Sequence, residues 1–310
     1  MKAIRFHDYG GPEVLVLEDL PVPEPAEGDV LVRIHAAGVN PIDWKIRAGH
    51  LKAFRPYTLP LILGWDFSGV VERVGAGVTE WRAGDEVYGR PDIARSGTYA
   101  EYFVVRASEI ARKPRSIDHV HAASVPLAAL TAWQALFDHG NVIAGQKVLI
   151  HAAAGGVGSF AVQFAKFNGA FVAGTASARH HDYLRDLGCD QPIDYTATPF
   201  EDVVRDADLV LESIGGEVRA RSWKALKPGG ILVAILGPAP SPEEAKAHGV
   251  RATLFMVEPR ATELAGIAAL IDQGHIKVPV DAVFPLADAA KAHELSQTNR
   301  VQGKIVLRVV

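Results

Sequence analysis

"HAAAGGVGSFAVQFAK", residues 151–166, decides the fold. Gly155, Gly156 and Gly158 crowd three glycines into four positions, and an apolar helical pattern follows. Val157, Phe160, Ala161, Phe164 and Ala165 fall at i, i+3, i+4, i+7 and i+8, the stripe of a helix lying on a sheet. Just upstream, residues 148–150 are a short, wholly apolar strand signal. Strand, glycine turn and helix in that order make a seat for a diphosphate. Gly155 lets the backbone come close, and the helix's unpaired N–H groups and positive dipole end face the negative charge. Gly158 lets the helix lie tightly against the strand. Ala152 stands where the usual pattern has its first glycine, so the strand–turn–helix context carries the reading rather than the spacing alone. The residues expected against the ligand are Ala154, Gly155, Gly156, Val157 and Gly158.

Outward from this turn, strands and helices alternate. A helical spacing at 122–137 precedes it; strands at 171–175, 192–195, 209–212 and 231–236 and helices at 178–187 and 218–226 follow. Alternation of this kind predicts a parallel sheet with helices on both faces, hence an α/β fold. The first third reads differently, as short strands near 14–17, 30–36, 67–74, 86–88 and 99–105 separated by Gly- and Pro-rich turns. That texture predicts an antiparallel, barrel-like region. The tail, with helices at 262–273 and 287–296 and strands at 280–285 and 304–309, breaks the alternating rhythm and is placed back with the first third. The expected domains are 1–120 with 260–310, and 121–259.

Composition excludes several function classes. The 310 residues suit about two domains, and a net charge of -4 without any run of Lys/Arg gives no support to nucleic-acid binding. The single cysteine, Cys189, rules out an internal disulfide and any Cys-rich metal site. No apolar run reaches the ~18 residues of a membrane helix, and the first residues lack a signal-peptide core. A cytoplasmic protein without membrane or nucleic-acid partners is the expectation. No G-x-S-x-G elbow supports nucleophilic catalysis.

The identity of the dinucleotide follows from charge. An NAD site carries Asp or Glu about 20 residues past the glycines, on the ribose 2′-hydroxyl. This chain has Thr175, Ala176, Ser177, Ala178 and Arg179 there. Arg179 offers a permanently charged, planar donor to a 2′-phosphate and Ser177 a hydroxyl, so NADPH is the expected cofactor.

The whole chain resembles the medium-chain dehydrogenase/reductase superfamily, and within it the zinc-free quinone oxidoreductase branch. The motifs carrying the likeness are "AAGVNPIDWKIRAG" (36–49), "LGWDFSGVVERVGAGV" (63–78), "GDEVYG" (84–89), "GTYAEY" (97–102), "AASVPLAALTAW" (122–133), the glycine turn, "DLVLESIGG" (208–216), "LKPGG" (226–230) and "GKIVLRV" (303–309). The resemblance implies a GroES-like barrel holding both termini and a Rossmann domain between. Zinc members hold their metal with Cys and His; Asn40 and Trp65 stand at those positions, and neither suits zinc. No metal is therefore expected. Without a Lewis acid, an activated acceptor is the natural substrate. A quinone or an α,β-unsaturated carbonyl takes hydride directly in a dry cleft between domains, helped by hydrogen-bond donors.

The resemblance also implies site residues. Asn40 and Asp43 flank the nicotinamide pocket, Thr131 touches the nicotinamide, and Tyr195 lines the adenosine phosphate site. Lys45 stands where many quinone reductases have tyrosine, as in the enone/alkenal subgroup, and could donate to an enolate oxygen. Ser213, Ile214, Leu236 and Gly237 are placed at strand ends, where open α/β sheets bind ligands. Quinone reduction is the leading expectation and enone/alkenal C=C reduction the alternative; a non-catalytic, crystallin-like NADPH-binding protein is a third. An apolar stretch at 249–257 is expected to be an edge strand, paired across a twofold axis in a homodimer.

Overall fold

In the computed structural model, which describes residues 1–310, six parallel strands form one sheet. Their order is Gln191–Asp194, Phe171–Ala176, Lys147–Ile150, Ala207–Glu212, Leu226–Ala234 and Arg251–Leu254. Succession reverses between Lys147–Ile150 and Ala207–Glu212, so the helix that follows the first strand starts beside a topological switch point. The strands are apolar because both faces are covered. Val148, Leu149 and Ile150 have no solvent exposure, and Leu149, Val210, Leu232 and Trp223 share one core cluster.

The chain divides into two compact units. One comprises Met1–Leu127, Glu258–Gly274 and Val278–Val310; the other comprises Ala128–Val257 with His275–Lys277. In the first unit, Asp29–Val39 is the central strand of an almost wholly antiparallel seven-stranded sheet, flanked by Phe67–Val74 and by the C-terminal strand Lys304–Arg308. Ile305 pairs with Val39 and Leu307 with Ala37, which stitches the tail to the N-terminal third. A smaller sheet orders Val16–Asp19, Lys2–Phe6 and Leu61–Ile62.

Several elements depart from the sequence reading, three of them in the first half of the chain. The helical spacing at 122–137 is broken into His119–Ala123, Pro126–Trp133 and a π-helical turn, Gln134–His139. Pro126 forces the break, because it has no N–H to give and its ring collides with the preceding turn; it opens the second helix instead. The early strand is Val16–Asp19, displaced by a 3-10 turn at Pro12–Val14. A helix unread in the sequence, Pro41–Arg47, lies within the motif that carries Asn40, Asp43 and Lys45.

Candidate functional site

The glycine turn begins with a residue under constraint. Ala152 has a φ of 48°, in the left-handed region that an alanine seldom adopts. Its amide is held 3.3 Å from Thr175 Oγ1, and the Ala153 amide donates to Thr175 O at 3.0 Å. His151 completes the clamp, with Nδ1 3.1 Å from Thr175 Oγ1 and Nε2 2.9 Å from Ser222 Oγ. Ser222 gives its only proton to Val218 O, so His151 carries its hydrogen on Nε2 and accepts at Nδ1 from Thr175. Burial pushes the imidazole down to about 4, which keeps it neutral in this role. Nothing in the sequence marked His151 or Thr175 beyond their place at strand ends.

Gly155 caps the helix Gly156–Phe167 in extended conformation, and no side chain satisfies the helix's first amides. Those donors face whatever occupies the turn. A Cβ on Gly158 would stand 2.3 Å from Ala152 O and 2.6 Å from Ala153 Cα. Only hydrogen fits there. The helix then buries Phe160, Ala161, Phe164 and Ala165 as the stripe required.

The other dinucleotide candidates lie in the same unit. Ser177 and Arg179 follow the second strand; Arg179 is exposed and donates from Nε to His180 Nε2 at 3.0 Å. Tyr195 follows the third strand with 62% exposure, so it is not a core aromatic. Ser213 follows the fourth strand and donates to His151 O at 3.1 Å, tying that loop to the glycine turn. Ile214 is half exposed, and Leu236 and Gly237 lie just past the fifth strand. Thr131 is buried within Pro126–Trp133.

In the antiparallel unit, Asn40 opens the helix Pro41–Arg47 and joins a fully buried network. Its Nδ2 donates to Asp66 Oδ2 at 2.8 Å, and its Oδ1 accepts from Lys304 Nζ. Lys304 also lies 3.2 Å from Asp66, and Asp66 Oδ1 accepts the Leu127 amide at 2.6 Å. Burial raises the Asp66 carboxyl above its ordinary value, against the opposing pull of Lys304, Asn40 and the Leu127 amide. The amide orientation of Asn40 is thus set, with one Nδ2 hydrogen left over. Asp66 and Lys304 lie inside quoted motifs, yet nothing local in the sequence gave them this partnership.

Asp43 requires a correction. The sequence placed it among catalytic groups, but it has 0% exposure. Its Oδ2 accepts from the Asn40 amide and from Tyr99 Oη, both at 2.7 Å, and the Asp43 amide donates to Asn40 O. This is a helix-start cap. Asp43 is a positioning residue for Asn40. Lys45, on the same helix, is half-buried with its ammonium 5.6 Å from the centre of the Trp44 ring, and burial lowers its pKa. It has no ion-pair partner.

Other polar side chains are held in local contacts. Cys189 is buried and its thiol pushed up to about 11 by burial, which leaves no thiolate near neutral pH. His119 packs against His35 at 4.2 Å, with Nδ1 2.8 Å from Ser68 Oγ. No three His, Cys, Asp or Glu side chains come together in a metal-holding arrangement.

A switch-point glycine turn in a parallel sheet, joined in one chain to an antiparallel unit holding an ordered Asn–Asp–Lys network, defines a two-domain dinucleotide-dependent oxidoreductase. Comparison with known proteins narrows the class. Residues 26–115 match the alcohol dehydrogenase GroES-like domain, and residues 187–307 match a zinc-binding dehydrogenase domain. The chain is 37% identical to an NADPH-dependent alkenal/one oxidoreductase of Arabidopsis thaliana, over 99% of this chain and 79% of that protein. The quinone oxidoreductase of Coxiella burnetii superposes with a TM-score of 0.92 at 37% identity, covering 100% of this chain and 99% of the other. The Escherichia coli quinone oxidoreductase complexed with NADPH gives 0.91 at 30% identity, with both chains fully covered. This chain belongs to the medium-chain dehydrogenase/reductase superfamily, in the branch of quinone oxidoreductases and alkenal reductases.

Proposed function

We propose that the protein is an NADPH-dependent oxidoreductase that delivers hydride to quinones, with reduction of enone and alkenal C=C bonds as the alternative reading. The observation that carries the cofactor assignment is the pairing of an uncapped glycine turn with a second strand, Phe171–Ala176, that is followed by Ser177 and Arg179 and not by a carboxylate of its own. The groups available fit NADPH. Gly156, Val157 and Gly158 present amides that no side chain caps and Gly155 adds no side chain beside them, while Ser177, Arg179 and the exposed Tyr195 ring border the end of the sheet proposed for the 2′-phosphate. Bound NADPH supplies a hydride from the nicotinamide ring. The protein's residues orient the carrier, exclude water and offer donors to the acceptor oxygen as charge develops there. For the acceptor, the proposal assigns a donor role to Asn40, whose side-chain amide is held in one orientation with one Nδ2 hydrogen unengaged, and water supplies the proton that completes the hydroquinone.

The enone reading has its own support in Lys45, an amine without a carboxylate partner whose cation burial disfavours. Such a group is suited to hydrogen-bond an enolate oxygen. NADPH oxidation followed at its absorbance band, with a quinone, an enal and no acceptor, tests both readings. Turnover with the quinone is expected, and turnover with neither acceptor overturns the catalytic assignment. A Lys45→Tyr variant is expected to lose about tenfold or more in kcat/KM for the enal, the worth of one charge-assisted bond, while quinone turnover is retained. Equal losses on both acceptors remove Lys45 from the specificity argument.

Arg179→Ala is expected to raise the KM for NADPH by about tenfold and leave that for NADH unchanged. A parallel rise for both cofactors contradicts the 2′-phosphate role. We further propose a homodimer. Arg251–Leu254 is the outermost strand of the parallel sheet, and Met256 beside it is exposed. An unpaired ladder of this kind invites strand pairing across a twofold axis. Sedimentation at twice the chain mass is the expected result.

A further inference from the structure

The loops that follow the fourth and fifth parallel strands are cross-braced by one buried ion pair. Glu212, the last residue of Ala207–Glu212, has no exposure, and its Oε1 accepts the amides of Ile214 at 2.6 Å and Gly215 at 2.5 Å. Its Oε2 accepts Arg219 Nε at 2.6 Å. The two remaining arms of the Arg219 guanidinium reach into the neighbouring loop, where they donate to Leu236 O and Pro238 O. One planar fork therefore ties the carboxylate of one strand end to two carbonyls beyond the next. Lysine, a single ammonium without a fixed fork, cannot reproduce that geometry.

The arrangement is more than a stability device in its placement. Ile214 is 49% exposed, so its amide would otherwise point into a solvated loop. Both loops lie on the far side of the switch point from Gln191–Asp194 and Phe171–Ala176. The strand ends beside Ser177 and Tyr195 are the adenosine half of the proposed dinucleotide site; the braced loops are the other half. Burying a guanidinium and a carboxylate is costly unless they are well partnered, and here each guanidinium nitrogen and each carboxylate oxygen has a partner in the pair itself or in loop backbone.

We propose that Glu212 and Arg219 are positioning residues that pre-order the nicotinamide half of the NADPH site. The inference rests on the NADPH reading above. Ordering both loops before the cofactor arrives removes that cost from binding. The brace makes no contact with the glycine turn's amides or with Arg179, and its links to that turn run only through Ser213 and Ser222 to His151, so the main effect is expected at one end of the ligand.

That confinement gives the test. Wild type, Arg219→Lys and Arg219→Gln are titrated with NADPH and with 2′-phospho-ADP-ribose, which lacks the nicotinamide, by ligand-induced fluorescence change without any acceptor. Both variants are expected to bind NADPH about tenfold more weakly and to bind the truncated ligand as wild type does. A merely structural role weakens both ligands together or neither, and either result overturns the proposal. Failure of wild type to bind NADPH at all defeats the cofactor reading instead. Should the variants not fold, amide exchange in the wild type decides: slow exchange at Ile214 and Gly215 without ligand is expected, and exchange at the rate of an open loop overturns the brace.

Discussion

Gly158→Ala is expected to destabilise the parallel-sheet unit by about 2–3 kcal/mol, the upper end of the usual cost of overpacking. The added methyl would stand 2.3 Å from Ala152 O and 2.6 Å from Ala153 Cα, and both are backbone atoms that no rotamer change can move. Either the helix Gly156–Phe167 lifts from the first strand or the turn opens. The first route breaks the packing of Phe160 and Phe164. The second pulls Ala152 away from Thr175 Oγ1 and spoils the alignment of the amides that face the ligand. A loss of turn geometry worth 2–3 kcal/mol corresponds to about 100-fold weaker NADPH binding. Gly266→Ala is the matched control, since that glycine lies on the exposed side of the helix Ala261–Asp272 with nothing within 4 Å of a new Cβ. The control is expected to gain about 0.5–1 kcal/mol from helix propensity. Denaturant midpoints and fluorescence titration read both outcomes. Wild-type affinity in Gly158→Ala would mean that close approach at this glycine plays no part in holding the cofactor.

The turn could be read in the sequence because every requirement it meets is local. Apolar strand, glycines and helical stripe fall within about twenty consecutive residues, and each obeys a short-range rule. Even the substituted first position is understandable afterwards, since Thr175 and His151 compensate Ala152 from neighbouring elements. The acceptor side was legible only as a motif. Asn40 and Asp66 are 26 residues apart and Lys304 lies 238 beyond Asp66, so their contact depends on strand register that one sequence does not display. Asp43 was misread for a related reason. An aspartate three residues after an asparagine suits a cap as well as a catalytic pair, and only the buried hydroxyl of Tyr99 decides between them. Glu212 and Arg219 left a faint trace, a carboxylate closing an otherwise apolar strand. Their carbonyl partners belong to a separate loop.

Asp43→Asn is expected to abolish the pH dependence that this carboxyl imposes on stability. Burial drives the Asp43 carboxyl up to about 7, against the opposing hydrogen bonds from the Asn40 amide and the Tyr99 hydroxyl. Lys304, a buried cation that pulls the Asp43 carboxyl down, is paired with Asp66, and burial remains the larger effect. A carboxyl whose pKa is higher in the folded state binds more protons there than when unfolded. Stability is then greatest below the unfolded value near 4 and declines as pH rises towards about 7, after which it is level. A rise of roughly three units corresponds to a decline on the order of 4 kcal/mol. Asparagine resembles the protonated acid. Its Oδ1 accepts from Asn40 and Tyr99 as before, and its Nδ2 takes the place of the carboxyl oxygen that has no partner. Wild type and Asp43→Asn should thus be similarly stable near pH 4, with the variant increasingly more stable up to pH 7 or 8. If the two hydrogen bonds instead held Asp43 ionised, the variant would lose charge-assisted bonds and be less stable throughout that range. Denaturation midpoints for both proteins across this pH range separate the two cases, because the sign of the difference at neutral pH is opposite in each.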